Sequence, residues 1–138
     1  MDYMAASAAR KIAAQDWGEV HAQEKLAEGI WVFSTSRHGG IITDTTLRPE
    51  SKFNEVEPGF AAFEEDAEAD MVEWLYMYDI HTDHFKAITC RDEKSFSTWQ
   101  QDRINQIQER LQYWFPEFLA KYPEPALAPS QRESDNSI

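Results

Sequence analysis

Cysteine is nearly absent from this sequence. Cys90 stands alone, so no internal disulfide framework and no all-cysteine metal site can form, which fits a reducing compartment. Long apolar runs are also missing. A membrane-spanning helix needs about 20 consecutive apolar residues, and the N-terminus lacks the basic-then-apolar layout of a signal peptide. These absences point to a cytoplasmic, water-soluble chain. Positive charge is scarce as well, with 13 Lys and Arg against 25 Asp and Glu and a net charge of -12. Nonspecific nucleic-acid affinity comes from cations displacing counterions around phosphates, so direct nucleic-acid binding is not expected. No phosphate-cradling loop with a Lys, no dinucleotide fingerprint and no Ser or Cys nucleophile in an elbow is present, which removes the usual support for nucleophilic and cofactor enzymes. No cofactor is expected.

What the sequence does contain is one domain's worth of apolar residues, 42% hydrophobic and 13% aromatic over 138 residues. An alanine-rich N-terminal helix or arm is expected over 1–16. Gly29-Ile30-Trp31-Val32-Phe33-Ser34-Thr35 has the β-branched and aromatic content of a strand. Gly39 and Gly40 can take positive φ, so Ile41-Ile42-Thr43 returns as the second arm of a hairpin. Residues 44–59, broken by Pro49, Pro58 and Gly59, read as an irregular connection. Phe63, Ala67, Met71, Trp74 and Tyr78 recur at helical intervals, predicting an amphipathic helix over Phe63–Tyr78. A short extended segment is expected at Phe85–Cys90, and a second helix should start near Asp92–Ser95 and kink or end near Phe115 at Pro116. The expected architecture is α+β: a small antiparallel sheet of two or three strands against two or three helices, a single domain over 17–122, and a disordered tail over 123–138.

Three features invite a functional reading. From Phe53 to Phe85 there are ten acids and no Lys or Arg. Uncompensated carboxylates repel one another, so Glu64, Glu65, Asp66, Glu68, Asp70 and Glu73 are candidate residues for docking a basic partner surface, with a solvated helix face as the plainer alternative. The second feature is Arg37-His38-Gly39-Gly40, a turn able to present backbone N–H groups and an imidazole to an anion or a reacting carbonyl. The third is a metal-assisted hydrolase site built from His38, His81 and His84 with Glu64 or Glu65, although no diagnostic metal-ligand spacing is present. Cys90 is expected to be packed and inert. The tryptophans are expected chiefly in the core, with Trp31 or Trp99 as alternative partner anchors.

The combination of Gly29-Ile30-Trp31-Val32-Phe33, His38-Gly39-Gly40, Phe63-Glu64-Glu65-Asp66 and Trp114-Phe115-Pro116 resembles an uncharacterised domain family of bacterial phage, plasmid and integrative-element proteins. Here Ala67 and Ala69 stand where that pattern has a Cys and a Trp. The resemblance carries no biochemical activity. It implies a setting in which small acidic accessory proteins block host nucleases, repressors or defence complexes. The expected function is therefore a non-enzymatic interaction protein that inhibits a basic, nucleic-acid-binding host protein; the alternatives are the metal-assisted hydrolase and a purely structural or accessory role.

Overall fold

The computed structural model describes residues 2–85 and 92–129, and the chain divides into two compact units, 1–69 and 70–138. The first opens with α1 (Asp2–Trp17) and continues through β1 (Val20–Ala27), β2 (Ile30–Thr35) and β3 (Gly39–Asp44). A 3₁₀ turn (Pro49–Asn54), β4 (Glu55–Glu57) and β5 (Phe60–Glu64) complete it. All neighbouring strands are antiparallel, in the order β1-β2-β3-β5-β4.

Strand alternation sets the two faces of this sheet. Trp31, Phe33 and Ile42 point to the face covered by Ala9, Ile12, Ala13 and Trp17 of α1, and all seven are buried. On the opposite face Ile41 opposes Phe63, and the 3₁₀ turn contributes Phe53, whose ring meets Phe63 edge-on at 5.6 Å. Ser51 of the same turn shares a buried 2.7 Å hydrogen bond with Thr43.

The second unit begins within α2 (Ala67–Leu75) and holds α3 (Met77–Ile80), a π-helical turn (His81–Phe85), α4 (Glu93–Trp114) and α5 (Pro116–Lys121). Asp92 caps α4 by accepting from Ser95 N–H at 2.8 Å. Phe115 leaves helical geometry (φ -138°, ψ 62°), and Pro116 restarts the chain as the first residue of α5, where its missing N–H costs nothing. Residues 123–129 are tied to the α2–α3 segment: Ala126 N–H donates to Trp74 O at 3.0 Å, and Tyr78 N–H donates to Ala126 O at 2.8 Å.

The chain is α+β, but the sheet has five strands, not two or three, and the described helical segments exceed the two or three expected. Three physical reasons account for the difference. The polar segment Val20–Ala27 is an edge strand whose central residues face solvent, so it carries no apolar pattern. Glu55–Glu57 forms three residues of edge inside the apparent loop. The acidic helix expected from Phe63 is strand as far as Glu64; Asp66 turns the chain with φ 75°, and helix begins only at Ala67. Glycine also acts differently from expectation. Neither Gly39 nor Gly40 has positive φ; both belong to β3, and Ser36–His38 make the turn. Phe85 closes the π-helical turn, while the remainder of the strand expected at Phe85–Cys90, Cys90 included, lies outside the described residues.

Candidate functional site

The six candidate acids fall into two sets with different surroundings. Glu64, Glu65 and Asp66 are exposed at the β5–α2 corner, and Glu68 is half-buried behind them. The Glu68 carboxylate accepts from Glu64 N–H at 2.9 Å, and Glu65 Oε2 accepts from Gly39 N–H at 2.8 Å. Among the described residues no Lys or Arg forms an ion pair with any of these four. Backbone donors hold the Glu65 and Glu68 carboxylates in place, and no cation among the described residues compensates the four charges.

Asp70 and Glu73 are different. Both are buried, at 4% and 7% exposure, which removes them from any partner-facing surface. Arg110 clasps Asp70 through Nε and Nη2 at 2.7 and 3.1 Å, and Arg103 clasps Glu73 through the same two nitrogens at 2.7 Å each. The pairing order, 70 with 110 and 73 with 103, runs α2 antiparallel to α4. Fork-to-carboxylate geometry of this kind gives the strong form of charge-assisted bond. These two acids of α2 are thus internal structure.

His81 belongs to this buried cluster. Its side chain is fully buried, Nε2 lies 2.8 Å from Glu73 Oε2, and Nδ1 lies 3.0 Å from Gln100 Nε2. A hydrogen on Nε2 and a lone pair on Nδ1 satisfy both contacts, and the Trp99 ring packs against the imidazole at 4.8 Å. Burial alone would raise the Glu73 pKa, but hydrogen bonds from Arg103 and His81, with the attraction of the Arg103 charge, bring it down to about 2. Both ring nitrogens of His81 are engaged, His38 is exposed on the β2–β3 turn, and His84 is half-buried in the π-helical turn. Among the described residues no group of three His, Cys, Asp or Glu is arranged to hold a metal ion.

The Arg37–Gly40 turn is occupied by its own contacts. Thr35 Oγ1 accepts from His38 N–H at 3.0 Å and from Arg37 N–H at 3.4 Å, and it contacts His38 O. Arg37 Nε donates to Trp17 O at 3.3 Å. Gly39 N–H is taken by Glu65, and Glu65 N–H returns to Gly39 O at 2.9 Å. The backbone N–H groups of Arg37, His38 and Gly39, which an anion or carbonyl would need, are already engaged within the protein. His38-Gly39-Gly40 and Glu64-Glu65-Asp66, 26 residues apart, are therefore one structural corner of the sheet. Arg103 and Arg110 were absent from the sequence-level site. Their seven-residue spacing on one helix was the available signal, but nothing local ties them to acids 30 and 40 residues upstream.

A family model described as a domain of unknown function (DUF7007) matches residues 10–137. No curated protein and no solved structure matches the chain.

Proposed function

We propose, on the premise that this chain belongs to the DUF7007 family, that it is a non-enzymatic binding protein that engages a basic protein surface through the β5–α2 corner. The observation that carries this reading is the run Glu64-Glu65-Asp66: three consecutive exposed carboxylates with no cationic partner among the described residues. They sit in a unit with 13 acids against 6 Lys and Arg, a net of -7 over residues 1–69. A field of one sign accelerates encounter with the opposite sign and disfavours partners of like charge. A basic surface that normally holds nucleic acid supplies that opposite sign. In the phage- or plasmid-like setting implied by the motif resemblance, covering the surface of a host nuclease or repressor would inhibit it.

The triple variant Glu64→Gln, Glu65→Gln, Asp66→Asn tests the reading. The amide side chain introduced by Glu65→Gln would still offer an oxygen to Gly39 N–H, so the circular dichroism spectrum should stay unchanged. Three exposed charges contribute about 1 to 2 kcal/mol together, so partner affinity is expected to fall about tenfold and its salt dependence to flatten. Affinity capture from the native host at two salt concentrations reads both. If the variant retains the same partner as strongly as the parent at both concentrations, the corner is not the interface.

A further inference from the structure

The last turns of α4 leave an aromatic pair open to solvent. Tyr113 is 76% exposed and Trp114 59% exposed; their centroids lie 4.8 Å apart with the rings at 82°. Aromatics are the side chains with most to gain from leaving water, and this pair lies outside the buried core of its own unit. Tyr113 also lines an open groove of about 630 Å³ with Asn105, Gln108, Glu109 and Gln112. Their three- and four-residue spacings place all five on one face of the helix. The described lining thus combines an aromatic ring, one carboxylate and three amide oxygens, with no cation among these five residues.

We propose that this groove receives an arginine side chain of a protein partner, an inference that rests on the basic-partner reading above. A guanidinium is planar, permanently charged and weakly hydrated. It can stack on the open Tyr113 ring as a cation–π contact while its N–H fork meets the Glu109 carboxylate and the amide oxygens. An anionic group would be repelled by Glu109, and a neutral one, though able to pack on the ring, would forgo the charge-assisted bond to the carboxylate. Exposed Tyr and Trp with Arg opposite is also the composition of interface hot spots.

The test uses the full chain and two blocked pentapeptides, acetyl-Gly-Gly-Arg-Gly-Gly-amide and its citrulline counterpart, which keeps the shape and removes the charge. Amide and indole NMR shifts are followed through a titration. The arginine peptide should give saturable shifts centred on residues 105–114, and the citrulline peptide should bind at least about tenfold more weakly. Tyr113→Ala and Glu109→Gln, both exposed positions, should each reduce arginine-peptide binding. Equal binding of the two peptides, shifts centred elsewhere, or undiminished binding by Tyr113→Ala would overturn the proposal. The 64–66 triple variant is titrated in parallel. Peptide binding lost there but kept in Tyr113→Ala removes the groove and leaves the acidic corner standing; the opposite pattern retains the groove.

Discussion

Glu73→Gln is expected to destabilise the protein by about 3 to 5 kcal/mol, the usual cost of breaking a buried ion pair from one side. One carboxylate there serves two partners: Arg103 holds both of its oxygens, and His81 holds Oε2. An amide in its place offers a single acceptor oxygen and turns an NH₂ toward the guanidinium. His81, with a fully buried side chain, cannot recover its lost bond from water. Asp70→Asn should cost less, because the Arg110 side chain is 41% exposed and can rehydrate. Urea unfolding at neutral pH measures both, and a Glu73→Gln loss below about 1 kcal/mol would show the cluster to be energetically idle.

Acid should reveal the same carboxylate. With a folded pKa of about 2 against an ordinary 4.5, the unfolded chain takes up the proton first. The stabilisation from Glu73 is therefore complete above pH 4.5 and is lost as pH falls from 4.5 toward 2, amounting to about 3 kcal/mol across that window. The stability difference between parent and Glu73→Gln should narrow over the same interval. A difference that stays constant down to pH 2.5 contradicts the assignment.

Gly40→Ala is expected to cost about 3 kcal/mol, although the backbone there would accept alanine. The penalty comes from contact alone. A Cβ at Gly40 would lie 2.5 Å from Trp17 Cη2 and 2.5 Å from Phe63 O. The carbonyl belongs to the neighbouring strand, and Trp17, 3% exposed, is wedged between α1 and the sheet, so neither yields cheaply. Overpacking of this kind typically costs 1 to 3 kcal/mol, occasionally more. Thermal unfolding gives the loss. Combining Gly40→Ala with Trp17→Leu should give less than the sum of the two single effects, because the second change makes room for the first. A Gly40→Ala protein as stable as the parent would mean that the tryptophan does not occupy this notch.

Where local chemistry decides the structure, the sequence was legible. The helix start near Asp92, the break at Phe115-Pro116 and the Trp31 hairpin each follow from residues a few positions apart. Val20–Ala27 was illegible because its residues suit a helix or loop as well as a strand; pairing with β2 makes it an edge. Phe63–Tyr78 misled in a specific way. The period through Ala67, Met71 and Trp74 is genuine, but Glu64 and Glu65 resemble a helical first turn, and the alternation of Phe60 and Ala62 against Ala61 and Phe63 is too brief to outweigh them. The acidic run was misjudged at Asp70 and Glu73 for a different reason: compensation arrives from α4, and nothing local marks which acids will meet arginine. What remained visible, Glu64 to Asp66, is the part without such compensation.

The stitch at Ala126 sets a practical limit on shortening this molecule. Its amide and carbonyl serve Trp74 and Tyr78 at once, and the Trp74 indole also donates to Tyr122 O at 2.8 Å. A version ending at Tyr122 would look reasonable by composition, since a proline-rich stretch follows. It would nevertheless leave Trp74 O and Tyr78 N–H without their partners, and expression designs should extend through at least Leu127.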